Sequence, residues 1–180
     1  MLVKRISGFI FLMLVSGVAT PGHSQMLDID RYQMMIEFLA KNGGRWESIR
    51  ENYDQNKVAS VKGDGFYCYI DQDKNFFRIR KVFHFRNSDF TTYERTWYWH
   101  PAEKKILFIT WASDGRVETG SVEVVSEKAF VLTYDATDSE GNVVKRKEEN
   151  FISGDREFQT KVLQLKDNDW EEVERFDWKR

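Results

Sequence analysis

The segment Tyr93-Glu94-Arg95-Thr96-Trp97-Tyr98-Trp99-His100 carries the densest mixture of aromatic, cationic and titratable side chains in the sequence. In an extended backbone, alternation sends Tyr93, Arg95, Trp97 and Trp99 to one face and Glu94, Thr96, Tyr98 and His100 to the other. The first face reads as a ligand site. Arg95 would meet a carboxylate while Tyr93, Trp97 and Trp99 cover an apolar body, since a pocket needs mostly apolar walls and a few placed polar groups. The second face offers an acid, a phenol and an imidazole that could share proton-transfer chemistry. Cross-strand aromatic pairs and an arginine packed on tryptophan also stabilise sheets with no ligand at all, so the binding and structural readings of the first face both stand open.

Other chemistry has thinner support. Beyond His23, the histidines are His84 and His100, too few for a three-histidine metal centre and not spaced with cysteines or carboxylates as ligands are, so no metal or cofactor is expected. His84 stands between Phe83 and Phe85 in a setting that could tolerate a porphyrin. Alternation places it with Arg80 and Arg86 instead, as an outward or hydrogen-bonded side chain. His100 precedes Pro101 and belongs to a turn. Cys68, within Phe66-Tyr67-Cys68-Tyr69-Ile70, has no adjoining base and reads as a buried thiol rather than a nucleophile. There is no phosphate-binding glycine loop, no serine elbow and no spaced carboxylate signature, and the balance of features is against an enzyme.

Charge and length narrow the classes further. The chain has 180 residues, 27 basic and 29 acidic, a pI near 6.0 and no basic cluster, which excludes electrostatically driven nucleic-acid binding. Lys4 and Arg5 followed by the apolar stretch Ile6 to Ala19 and then Thr20-Pro21-Gly22-His23-Ser24 form the basic, hydrophobic and small-residue regions of a secretory signal over residues 1–24, with cleavage expected after Ser24. Its loss removes Lys4 and Arg5 but no acid, taking the formal charge from −2 to −4. The rest has no apolar run long enough for a membrane helix, and the expected destination is the periplasm or the medium. A lone cysteine excludes an internal disulfide, so stability must come from an apolar core, for which roughly 150 residues suffice.

The elements that must position these residues are one helix and then strand after strand. Tyr32, Met35, Ile36 and Leu39 recur at helical spacing, predicting a helix over about 28–41 with Asp28 or Asp30 as its cap and Gly43-Gly44 as its stop. Its Met34, Met35 and Phe38 are expected to pack on a barrel end. After Gly44 the period becomes alternating, and turn signals divide the chain into ten candidate strands. They lie near 45–52, 58–70, 75–86, 90–99, 105–111, 116–125, 128–136, 143–152, 156–165 and 169–178. Bulky apolar faces run through Phe77, Ile79, Phe83 and Phe85, through Leu107, Ile109 and Trp111, and through Phe130, Leu132 and Tyr134. The charged run Lys145-Arg146-Lys147-Glu148-Glu149 reads as a solvated face. Asp114-Gly115 is the best hairpin signal, because both positions tolerate positive φ. Short loops favour neighbouring strands, and closure removes exposed edges, so the expectation is a single all-β domain over 25–180: an antiparallel up-and-down meander barrel of about 8–10 strands covering 45–178, with one N-terminal helix.

Gly44-Arg45-Trp46 follows the helix directly at the start of the first strand, and Arg175 stands on the last strand among Trp170, Phe176 and Trp178. This arrangement resembles the calycin superfamily, the lipocalins, fatty-acid-binding proteins and their relatives, and the run of the chain is similar to small exported lipocalin-like proteins of bacteria. The resemblance implies that Trp46 packs beneath Arg175 to close the barrel, a contact worth ~1 kcal/mol when partly desolvated. It also implies a small apolar or amphipathic ligand. The competing expectations are a filled barrel serving as an interaction module of the cell envelope and, behind it, a barrel enzyme of isomerase or lyase type.

Overall fold

The structure, a computed structural model, describes residues 22–48, 64–70, 76–84 and 90–180. Most of the segment read as a signal, residues 1–21, lies outside the described residues, as do Phe85 and the side chains of Cys68 and His84. Helix α1, Gly22–Ala40, starts earlier than expected, so Asp28 and Asp30 lie within it rather than capping it. It ends as glycine dictates: Gly43 and Gly44 both take positive φ, 83° and 63°, and the Gly44 N–H donates to the Lys41 carbonyl at 3.2 Å.

Ten strands are present among the described residues, one at each expected position. They are β1 Arg45–Ser48, β2 Asp64–Ile70, β3 Phe76–His84, β4 Phe90–His100, β5 Lys105–Ala112, β6 Val117–Ser126, β7 Ala129–Thr137, β8 Val143–Gly154, β9 Glu157–Lys166 and β10 Asp169–Lys179. Each pairs antiparallel with its neighbour in sequence, and four-residue β1 pairs with both β2 and β10, closing the barrel. The type I′ turn sits not at Asp114-Gly115 but at Asp167-Asn168, where both residues have positive φ, 50° and 71°. At the β5–β6 hairpin only Gly115 is left-handed, at 87°. Its N–H donates to the Ala112 carbonyl, and the Ala112 N–H donates to Arg116, which is the three-residue alternative. Gly120 meets a different constraint: a Cβ there would fall 2.2 Å from the Thr133 carbonyl oxygen of β7, so this position admits no side chain.

One end of the barrel is packed apolar. Tyr32, Met35, Ile36 and Leu39 of α1 are buried in one cluster with Trp46, Phe77, Trp97, Phe130, Phe158 and Trp178, while Met34 stays exposed. The Trp46 indole N–H donates to the Leu39 carbonyl at 2.9 Å, which fixes helix to barrel. The cation over Trp46 is Arg180, 4.3 Å from the ring centroid, and not Arg175. Alternation explains the correction: Phe176 and Trp178 point inward, so Arg175 points outward, where it pairs with Glu172 at 2.7 Å. Arg180, beyond the end of β10, is free of that alternation and folds back to donate to the carbonyls of Phe38, Lys41 and Asp155.

In β5 the inward face is Ile106, Phe108 and Thr110, the reverse of the expected one, and Trp111 is 50% exposed. Both faces of β5 are rich in apolar residues, so hydrophobicity does not choose between them. Thr110 decides it by supplying an acceptor to a buried arginine, as described next.

Candidate functional site

Arg95 is on the inward face of β4 and is buried at mid-height of the lumen. A buried guanidinium must have its donors met, because an ion left unpaired in a medium of low dielectric costs several kcal/mol. Three strands meet four of the five. From β8, Glu148 accepts two hydrogen bonds of 2.9 Å, one from each terminal nitrogen. From β6, Glu118 accepts one from Nη2 at 2.7 Å, and from β5, Thr110 Oγ1 accepts one from Nε at 2.8 Å. Phe108 and Tyr134 lie beneath the guanidinium with ring centroids 4.7 and 5.7 Å from Cζ. The Tyr134 hydroxyl donates to Glu148 Oε1 at 3.1 Å.

The fourth charge is Lys81 of β3, whose Nζ lies 3.6 Å from Glu148 Oε2. In the strand order β3 and β8 are opposite one another, so this contact crosses the lumen. Two cations and two carboxylates thus form a neutral septum between the helix-covered half of the barrel and the other half. Burial alone would raise the Glu148 pKa. The charges of Arg95 and Lys81 and hydrogen bonds from Arg95 and Tyr134 override it and hold the carboxyl far below the usual range. For Lys81, burial lowers the pKa, Glu148 opposes that effect and Arg95 adds to it; the net direction is down.

The four residues expected to share a ligand site lie at different heights along β4. Tyr93 to Trp99 spans about 20 Å at about 3.3 Å per residue, the height of the barrel. Trp97 is in the helix-covered core, with ring centroids 5.2 Å from Phe77 and 5.9 Å from Phe130, and Trp99 packs against the same core. Arg95 is in the septum with four of its five N–H donors met by Thr110, Glu118 and Glu148, so it is not the lone charge a ligand carboxylate would seek. Of the four, only Tyr93 lies on the far side of Arg95 from the helix, edge-on to Phe83 at 5.2 Å and covered by the Arg116 guanidinium at 5.2 Å. Glu94, Tyr98 and His100 are on the outer surface: Glu94 pairs with Arg80 at 3.1 Å, and His100 Nδ1 accepts the Glu103 N–H at 3.2 Å, the turn role expected of it.

The half of the barrel away from the helix differs from the other in burial. Its inward positions include Phe83, Tyr93, Ala112, Ala136, Val144 and Arg146; all but Ala136 are only half-buried, and Phe83 and Val144 pack against the buried core. Arg146 stands in register with Tyr134, one inward position along β8 from Glu148. Its Nε is buried and has no hydrogen-bond partner among the described residues.

Sequence reasoning missed Lys81, Thr110, Glu118, Tyr134, Arg146 and Glu148. Glu148 and Arg146 were hidden in the charged run of β8. The available signal was parity, since Val144, Arg146, Glu148, Asn150 and Ile152 share a face with apolar residues at both ends. No known protein-family model matches the chain, and no curated protein matches it in sequence.

Proposed function

We propose that this chain is an exported binding protein that takes an amphipathic anion into the chamber away from the helix, with Arg146 meeting the anionic group. The observation that carries this reading is the Arg146 guanidinium, placed on an inward position with a buried Nε that nothing among the described residues satisfies. An unmet buried donor costs about 1–3 kcal/mol, and a ligand oxygen would relieve it with a charge-assisted hydrogen bond. Tyr93, Phe83 and Val144 supply apolar walls, and the septum is the floor. The ligand-binding role first assigned to Arg95 passes to Arg146, because Arg95 has its carboxylates within the fold.

Export rests on the basic and apolar N-terminal segment, Lys4 to Ala19. A place in the calycin superfamily is supported by the closed antiparallel meander behind one helix and by a cation over the tryptophan of the first strand, with Arg180 in that role. One observation favours the competing reading, a filled barrel acting as an interaction module: the septum occupies the centre of the lumen without a ligand.

Calorimetric titration of the purified protein with laurate and with dodecanol, equal chains with and without a charge, separates the two. Binding of an anion at Arg146 gives laurate at least about a tenfold advantage, ~1.4 kcal/mol, which Arg146→Gln abolishes. Absence of binding by either probe selects the filled barrel.

A further inference from the structure

Of the four charged side chains in the septum, Lys81 is the most exposed: its side chain is 16% exposed, against 4% for Arg95, 7% for Glu118 and 8% for Glu148. Its direct partner on β4 is Tyr93 and its inward neighbours on β3 are Ile79 and Phe83, so it stands level with Tyr93 in the half of the barrel away from the helix. It is also the most loosely held. Arg95 takes both Glu148 oxygens at 2.9 Å, and Lys81 is left with a 3.6 Å approach to one of them. We infer that Lys81 is a covalent attachment point, capturing a carbonyl compound as a protonated imine on the chamber floor.

This inference rests on the proposed binding reading and narrows its ligand to an aldehyde or ketone that also bears an anionic group. Glu148 and Arg146 occupy successive inward positions of β8, about 6–7 Å apart along the strand, so an anion on Arg146 leaves the carbonyl a few bonds away to reach the amine beside Glu148.

The chemistry balances without a co-reactant. The Lys81 ammonium gives a proton to water, and the amine lone pair forms a bond to the carbonyl carbon as the C=O π pair moves to oxygen. The oxygen takes up protons and leaves as water, and the nitrogen lone pair closes the C=N bond. The product retains one N–H and one positive charge. That conservation matters here, because Glu118 and Glu148 balance Arg95 and Lys81, and a protonated imine keeps the cluster neutral with Glu148 as its counter-ion. Burial and the neighbouring Arg95 charge, which lower the lysine's proton affinity, favour the free amine needed for the attack, although Glu148 opposes them.

The test is incubation of the full chain with para-formylbenzoate and cyanoborohydride, which reduces an iminium to a stable secondary amine, followed by intact mass and peptide mapping. The expected result is one adduct, on Lys81, with occupancy at least about tenfold above any surface lysine, lost in Lys81→Arg and reduced with benzaldehyde, which has no anion. Lys81→Arg keeps a cation beside Glu148, and an unchanged thermal midpoint shows that its loss of label is chemical. Label spread over surface lysines with Lys81 unmodified overturns the inference. Laurate binding through Arg146 is read separately: if it persists while Lys81 stays unlabelled, the binding site stands and the imine falls. If laurate fails and Lys81 is still labelled selectively, the capture stands without the anion site.

Discussion

Arg95 and Glu148 share two parallel hydrogen bonds of 2.9 Å although their strands, β4 and β8, are not neighbours in the sheet. The pair is therefore a tertiary tie across the lumen, and a large part of its effect is that neither charge is left alone there. Replacing Glu148 with Gln removes the carboxylate that serves Arg95, Lys81 and Tyr134 together, leaving two buried cations against Glu118 alone. Breaking a buried pair from one side costs about 3–5 kcal/mol. At about 2–4 °C per kcal/mol for a protein of this size, the thermal midpoint should fall by roughly 6–20 °C. Glu118→Gln should cost less, since Arg95 keeps its bidentate partner. Circular dichroism melts of the two variants check the order, and equal midpoints would refute the central role given to Glu148.

The same carboxylate sets a pH dependence. Its pKa in the fold lies far below the unfolded value, because Arg95 and Lys81 overcome the opposing effect of burial. Between those two values the unfolded chain binds a proton that the folded chain does not, so stability rises with pH across that window. The contribution is complete above the ordinary glutamate range, about pH 4.3, and is lost as pH falls towards the folded-state value. Urea midpoints measured downward from about pH 5 should decline more steeply for the native sequence than for Glu148→Gln. Parallel declines would mean that other carboxylates, such as Asp114, Asp138 and Glu172, govern acid sensitivity.

Closure of the helix-covered end depends on Arg180. Its guanidinium lies over Trp46 and Phe38 and donates to three backbone carbonyls, so Arg180→Ala should destabilise by about 1–3 kcal/mol and speed amide exchange in α1. Arg175→Ala, which removes an exposed partner of Glu172, should leave the melt unchanged. A larger loss at Arg175 than at Arg180 would restore the assignment drawn from strand order alone.

The architecture was largely legible because each strand is bounded by turn residues and the helix has a periodic apolar face ended by Gly43-Gly44. What alternation could not supply was the choice of face where both faces carry similar residues. In β5, Ile106 and Phe108 compete with Leu107 and Ile109, and the decision depends on Thr110 meeting an arginine fifteen residues earlier. In β8 every residue on both faces of Lys145 to Glu149 is charged, and only a pairing over 53 residues to Arg95 turns Glu148 inward. Arg95 was expected inside on its aromatic neighbours alone. Its pairing within the fold was not, because the partners lie on strands whose distance in sequence says nothing of their position across a closed ring.

Arg146 separates stability from binding. Its Nε is buried without an acceptor among the described residues, so Arg146→Met removes an unmet donor while keeping an unbranched apolar stem of similar reach. Burial of the methionine should leave the stability equal or higher by up to about 1–3 kcal/mol, the desolvation cost relieved, and the thermal midpoint equal or higher with it. The affinity for laurate should fall by about tenfold or more over the same substitution, since the charge-assisted contact is lost. Opposite movements of the two quantities are what a site built for a ligand produces, because its strain is useful only when the ligand is bound. A structural arginine gives the reverse, a lower midpoint with no change in binding, and that result would return Arg146 to the wall of a filled barrel.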